Sequence, residues 1–345
     1  MKKSMIGCTI PEIQNRLQAA GFEKYRAKQV YPNLFKANVN SFDDIGNIPK
    51  KLKEFLNENY VVNEVQIHQK YISKDGSAKY LMRLLDDNLI ECVLMPYKYG
   101  LSICISSQVG CLMGCRFCAS TVGSLIRNLT ASEMLGQILR VSQDAGEKIS
   151  HVVVMGSGEP FDNFDNLGRF ITLANYEDGL NLGQRHITVS TCGIKGAVRK
   201  FADLGTQVNL AVSLHSAIQE KRESIMPVAK SVSLDELSDD VKYYIDRTNR
   251  RVTYEYALID GFNDSRHDAQ ELVNYVRGQL CHVNLIPLNK NEESEFDPPS
   301  KKKVNEFYEI LTKNGINATI RRQIGSDIGG ACGQLRAKAL KKEML

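Results

Sequence analysis

Gln108-Val109-Gly110-Cys111-Leu112-Met113-Gly114-Cys115-Arg116-Phe117-Cys118 brings three thiols into eight residues, with Gly110 and Gly114 free to turn the backbone around a bulky group. A structural zinc site takes four ligands, usually as two spaced pairs, and no fourth Cys or His stands near this loop. An iron–sulfur cubane held by three cysteines instead keeps one iron open to a substrate or cofactor, which suits catalysis. The alternative is a zinc loop completed by a distant ligand such as His215.

The sequence around this loop alternates short apolar runs with helical periods. Leu101–Ser106, His151–Met155, His186–Thr191, Val208–Ser213, Val252–Leu258 and Val283–Leu288 are the strand candidates. Helices are expected from the Thr130/Glu133 capping box onward and at Ile194–Leu204, Leu234–Thr248, Ser265–Gln279 and Lys301–Asn314. Strand–helix alternation predicts an α/β fold with a parallel sheet, and six strands are too few for the usual eight-stranded closure, so a partial barrel is expected. Ser106, Gly156 to Glu159, Ser190, Ser213 with Leu214 and His215, and Asn289 fall at or just past strand carboxyl ends, the edge where such sheets bind ligands. Gly158 and Glu159 can form a pocket wall that accepts from an ammonium, or simply a tight turn.

Upstream, residues 1–60 read as short helices without strands: one capped by Thr9 and running to Ala20, a second at Tyr25–Phe35, and a third at Lys50–Asn59 opened by Pro49. Residues 61–97 alternate like a β-meander, with Tyr80–Leu85 and Leu89–Leu94 flanking a turn at Asp86–Asn88 and an earlier turn at Lys74-Asp75-Gly76. The domain plan is therefore a helical accessory domain (1–60), a meander (61–97), the partial barrel (98–320), and a C-terminal loop and tail (321–345) carrying Cys332.

The chain has 345 residues and a formal charge of +4, a surplus that permits a polyanionic partner without requiring one. Neither a signal peptide nor an apolar run of about 18 residues is present, so a cytoplasmic protein without a membrane partner is expected. Nine cysteines in such a chain favour metal or thiol chemistry over a disulfide framework. Cys8, Cys92, Cys192 and Cys281 read as small buried apolar residues. Cys104, between Ile103 and Ile105, fits a buried strand position, and Cys332, by its local context, a packing or surface cysteine.

With these residues in view, the CxxxCxxC loop resembles the signature of the radical S-adenosylmethionine (SAM) superfamily. There the open iron of a 4Fe-4S cluster chelates SAM, and reduction releases a 5′-deoxyadenosyl radical. From Glu91 to Leu335 the chain further resembles the RlmN family of dual-specificity RNA adenine-C2 methyltransferases, with the Cfr enzymes as relatives. The stretches that carry it are Cys104–Cys111, Met155–Pro160, Ser213-Leu214-His215, Val283–Pro287 and Gly330–Leu335.

The resemblance implies a role at each matching position. Cys111, Cys115 and Cys118 hold the cluster, while Gly158, Glu159, Ser190, Ser213, Leu214, His215 and Asn289 contact SAM. Cys332 accepts a methyl group from one SAM, and a second SAM activates it. Glu91 accepts a proton, and Cys104 resolves a protein–RNA adduct by forming a disulfide with Cys332. It also implies a monomer that acts on 23S rRNA and tRNA, at a position of the adenosine 37 type, and takes electrons from a flavodoxin or ferredoxin. Cfr-type enzymes methylate carbon 8; Pro160 after Glu159 follows the carbon-2 pattern, whereas Ser157 departs from the methionine common to both groups. Another radical SAM reaction, on a small molecule or peptide, is the rival. Lys50-Lys51-Lys53, Arg321-Arg322, Arg336-Lys338 and Lys341-Lys342 are candidate phosphate contacts.

Overall fold

The computed structural model describes residues 2–36, 38–121, 123–290 and 295–335. At the N-terminus, β1 (Lys3–Ser4) precedes three helices, α1 (Ile10–Ala19), α2 (Arg26–Val30) and α3 (Lys50–Asn59). Thr9 and Glu12 close a capping box on α1. The second expected helix is shorter than its periodicity suggests, because Pro32 lacks the amide that would continue it and the chain tightens into a 3-10 turn at Tyr31–Phe35. The expectation of a strand-free N-terminus is corrected by β1, which pairs in parallel with β2 (Tyr60–Val61). Two-residue strands carry too little alternation to read from sequence.

The meander is β3 (Gln66–Ile72), β4 (Ala78–Arg83) and β5 (Leu89–Tyr97), antiparallel throughout, and β5 pairs antiparallel with β6 (Gly100–Ile105). From β6 the sheet continues in parallel through β9 (Ile149–Val154), β10 (Ile187–Thr191), β11 (Asn209–Ser213), β12 (Val252–Leu258), β13 (Cys281–Pro287) and β14 (Ala318–Ile320). Meander and barrel thus form one ten-stranded sheet, in the order β14-β13-β12-β11-β10-β9-β6-β5-β4-β3. All six expected parallel strands are present. The seventh, β14, is a half-exposed three-residue edge strand without a buried run to mark it.

An antiparallel pair, β7 (Gln108–Gly110) and β8 (Leu125–Asn128), brackets the cysteine loop. The parallel strands alternate with α4 (Ala131–Ala145), α5 (Phe164–Asn175), α6 (Ala197–Asp203), α7 (Gln219–Ile225), α8 (Leu234–Thr248), α9 (Arg266–Val276) and α10 (Lys301–Lys313). α4, α8 and α9 start on capping boxes at Thr130/Glu133, Ser233/Glu236 and Ser265/Asp268. α5 and α7 were not among the expected helices, and neither has a side-chain cap at its start. Asn163, before α5, instead donates to the Ser107 and Leu129 carbonyls at 2.9 and 2.7 Å, tying α5 to the cysteine-loop hairpin. Val152, Val189, Leu210, Val212, Val252 and Tyr254 are buried between sheet and helices, each aliphatic side chain worth about 1.5–3 kcal/mol of burial.

Candidate active site

The cysteine loop is pinned at several points before any ligand is considered. Arg116 N donates to the Ile225 carbonyl at 3.0 Å, and Ala119 N donates to the Gly333 carbonyl at 2.8 Å, joining the loop to α7 and to the segment bearing Cys332. The Thr121 hydroxyl caps the Cys118 carbonyl at 2.8 Å. Gly110, with φ +79°, lies so close to β8 that a Cβ would fall 1.9 Å from the Ser124 oxygen, so only glycine fits immediately before Cys111. Burial pushes the Cys111 thiol up to about 11 and raises Cys115 and Cys118 as well; a bound metal would reverse this by favouring thiolates.

Facing the loop is the turn after β9. Ser157 N donates to Ser106 Oγ at 3.0 Å, and the Ser157 carbonyl accepts from Ser107 N and Gln108 N at 2.9 and 3.1 Å. Gln108 Oε1 accepts from Glu159 N at 2.8 Å, while Gln108 Nε2 donates to Asn128 and Asp162. This network locks the Glu159 backbone to the cysteine-loop hairpin. The Glu159 carboxylate accepts from Phe161 N (3.0 Å) and Cys192 N (2.8 Å), and burial raises its pKa against those bonds. The Thr191 and Cys192 side chains bond to this carboxylate as well, and Glu159 lines the cavity, where it can accept from an ammonium.

Cys111, Cys115, Cys118, Gly158, Glu159, Ser190, Ser213, His215, Asn289 and Cys332 all line one solvent-open cavity of about 980 Å³. The Ser190 and Ser213 hydroxyls are 3.3 Å apart. His215, with φ +58°, accepts from Ala257 N through Nδ1 at 2.9 Å, which leaves Nε2 as the protonated nitrogen. Burial, then the Arg222 guanidinium, push its pKa down to about 3, so the ring is neutral. The Leu214 side chain is in the core and does not line the cavity.

Sequence reading missed Arg222, which is wholly buried on α7. Its Nε donates to the Leu214 carbonyl at 3.1 Å and its Nη2 to the Cys192 carbonyl at 2.7 Å, cross-linking the ends of β10 and β11 behind the cavity. Glu255 on β12 was also missed; it lines the same cavity and accepts from Asn284 Nδ2 at 2.8 Å. Cys8, Cys92, Cys192 and Cys281 are all buried as expected, and Cys192 also lines the cavity.

A second cavity of about 670 Å³ adjoins the first, sharing Cys118, Met155, Asn289, Arg321 and Cys332, and adding Cys104. Burial, then the facing Cys332 sulfur, push the Cys104 thiol up to about 12, against the pull of Arg321. Arg321 sits 3.8 Å from the Glu255 carboxylate and faces both thiols, which corrects its expected place among surface phosphate contacts. Arg322 is exposed; Arg336, Lys338, Lys341 and Lys342 lie outside the described residues. Glu91 lines neither cavity. It is buried on β5 two residues from the lining Val93, hence on the same face, with its carboxylate 3.3 Å from Lys79 Nζ. All nine cysteines are free thiols.

Among the described residues, no three Cys, His, Asp or Glu side chains are gathered around a single metal position, and His215 Nδ1 accepts from the Ala257 backbone amide. The donor set suits a cluster with SAM: the loop itself supplies three cysteines, and they open onto a cavity they share with Gly158, Glu159 and Asn289. Asn289 Oδ1 is buried there without a partner, as an acceptor awaiting a ligand donor would be.

The radical SAM superfamily model matches residues 105–273, and the ribosomal RNA large subunit methyltransferase N-terminal domain model matches residues 4–62. The crystal structure of a radical SAM methyltransferase from Sphaerobacter thermophilus superposes with TM-score 0.95 at 40% identity, covering 97% of this chain and 100% of that one. The probable dual-specificity RNA methyltransferase RlmN of Clostridium novyi (strain NT) is 48% identical, over 98% of this chain and 99% of its own. That of Alkaliphilus oremlandii (strain OhILAs) is also 48% identical, over 99% of each. Sheet, cysteine loop and cavity together define a radical SAM methyltransferase. Within that class, the chain belongs to the RlmN family of RNA methyltransferases.

Proposed function

We propose that the protein methylates carbon 2 of adenine in 23S rRNA and in tRNA, at a position of the adenosine 37 type, consuming two SAM per turnover. One observation carries this: Cys104 and Cys332 line a single cavity that opens onto the cavity of the three-cysteine loop. A radical SAM reaction on a small molecule or peptide needs no methyl-carrying cysteine. Carbon 2 of adenine is electron-poor, so it offers nothing to an electrophilic methyl donor, and a radical route avoids that barrier.

Cys111, Cys115 and Cys118 would hold a 4Fe-4S cluster, which together with SAM would supply one-electron reduction and a hydrogen-abstracting radical. Gly158 and Glu159 form the wall beside the SAM ammonium, and Ser190, Ser213 and Asn289 offer hydrogen bonds to its polar groups. His215 donates through Nε2–H, and Leu214 acts by packing Ser213 and His215 in place. Cys332 first carries a methyl as a thioether. After that methyl loses a hydrogen atom, its carbon bonds to carbon 2 of adenine and tethers the RNA to Cys332. Glu91 would take the carbon-2 proton, and the unpaired electron of the adduct would pass to the oxidised iron–sulfur cluster that Cys111, Cys115 and Cys118 would hold. The Cys104 thiolate then attacks the Cys332 sulfur: the S–S bond forms, the S–C bond breaks, and the released carbon takes a proton to become the product methyl.

The domain plan of accessory region, meander, barrel and tail is part of the same proposal, with Lys50, Lys51 and Lys53 of α3 as phosphate contacts. A flavodoxin or ferredoxin supplies electrons to a cytoplasmic monomer; among the described residues no helix is long and apolar enough to cross a membrane. Nucleoside mass spectrometry of RNA incubated with the reconstituted protein, SAM and reductant tests the proposal. 2-Methyladenosine is expected; 8-methyladenosine would move the enzyme to the Cfr-type reaction, and no methyladenosine would overturn the proposal.

A further inference from the structure

Four rings from three separate stretches form a ladder at the amino-terminal ends of β6, β9 and β10. Tyr97 and Tyr99 stack with centroids 4.9 Å apart and planes 7° from parallel. Tyr99 meets His151 edge-on at 4.9 Å, and His151 stacks on His186 at 4.5 Å and 15°. One end of the ladder lies next to the second cavity: Tyr97 lines neither cavity itself but packs against Val93, Met95, Cys104 and Leu335, which line that one. The other end, His186, is exposed, and within the ladder Tyr99 is 62% exposed.

Packing alone does not account for this arrangement, because large aromatic side chains gain most of their stabilisation by leaving water. Nucleobases, by contrast, stack on such faces irrespective of sequence. Exposed cations flank the rings in the chain: Lys98 between the two tyrosines, Lys148 just before β9, and Arg185 beside His186. Burial, then His186, lower the His151 pKa, which keeps that ring an uncharged stacking surface.

We propose that this ladder is a stacking platform for unpaired RNA bases next to the target adenine, with the flanking cations drawing in the phosphates of the same strand. The inference rests on the RNA-methyltransferase function proposed above. An adenine whose carbon 2 is to be reached must leave its own stack, and a ladder leading to the cavity would stack its neighbours in compensation.

Equilibrium binding of the full chain to two fluorescent RNAs tests this: a stem-loop with an unpaired adenine-containing loop, and a fully paired duplex of the same length. Tyr99→Ala is expected to weaken stem-loop binding about 5- to 150-fold, the range for losing one stacked base. Tyr99→Phe should retain it, and duplex binding should not respond to either change. A 2-aminopurine in the loop should be quenched by the wild type and by Tyr99→Phe but not by Tyr99→Ala. Unchanged stem-loop affinity in Tyr99→Ala, or an equal loss for stem-loop and duplex, overturns the platform while leaving the methyltransferase function standing. No stem-loop binding by the folded wild type overturns both.

Discussion

Replacing Gly110 with alanine tests whether the hairpin β7–β8, rather than the cysteines themselves, sets the shape of the cluster loop. Gly110 has φ +79°, a conformation that costs a side-chain-bearing residue about 1–2 kcal/mol. The new Cβ would also fall 1.9 Å from the Ser124 oxygen and 3.0 Å from its carbonyl carbon. A backbone oxygen cannot rotate away as a side chain can, so Ser124 must move on the order of 1 Å to restore an ordinary C···O contact. That shift breaks the Gly110–Leu125 register, adding about 1–3 kcal/mol of overpacking strain. Gly146, which ends α4, supplies the control: its φ of +65° is similar, but nothing lies within 4 Å of the added Cβ. Gly146→Ala should therefore cost about 1 kcal/mol in urea unfolding and leave iron binding untouched. Gly110→Ala should cost about 2–5 kcal/mol and bind less than about half the wild-type iron after anaerobic reconstitution, because Cys111 moves with it. If both variants unfold alike and both take up full iron, the hairpin does not hold the loop.

Three further outcomes are expected. His215 has a pKa near 3 against an ordinary 6.5, so between those values the unfolded chain takes up a proton that the folded chain refuses. Its contribution is complete above pH 6.5 and falls by about 1.4 kcal/mol per pH unit below it; the urea-stability gap between wild type and His215→Gln should narrow by about 2 kcal/mol from pH 7 to pH 5, and a constant gap would count against a neutral buried imidazole. Arg222→Met removes the side-chain donor from the Cys192 carbonyl and one of two donors from the Leu214 carbonyl, which keeps Ser216 N, and a loss of about 3 kcal/mol is expected, read from the urea midpoint; a loss under about 1 kcal/mol would mean that the buried cation is not organising the strand ends. Cys104→Ala should leave RNA covalently attached to Cys332, visible as a mass shift of the denatured protein, and free methylated product at the wild-type rate would remove Cys104 from the mechanism.

What could be read from the sequence follows a physical divide. The cysteine loop, the six longer parallel strands and the residues at their ends are local: their meaning lies in spacing along the chain, and the cavity gathers all of these strand-end residues except Ser106, Ser157 and Leu214. Ser106 serves instead as a hydrogen-bond hub behind it, donating to the Glu91 carbonyl and accepting from Ser157 N. Arg222, Glu255 and Arg321 act through space on partners from other elements, and nothing in the flanking residues separates them from solvated charges. Arg321 shows this most clearly. Beside Arg322 it reads as half of a basic surface pair, yet the end of β14 turns it inward between Glu255 and the two thiols of the second cavity. That strand is three residues long, so the feature that inverts the meaning of Arg321 is also the one too short to leave a periodic trace. The aromatic ladder has the same character: its rings come from the β5–β6 turn, from β9 and from the residue before β10, and only the sheet register makes them neighbours.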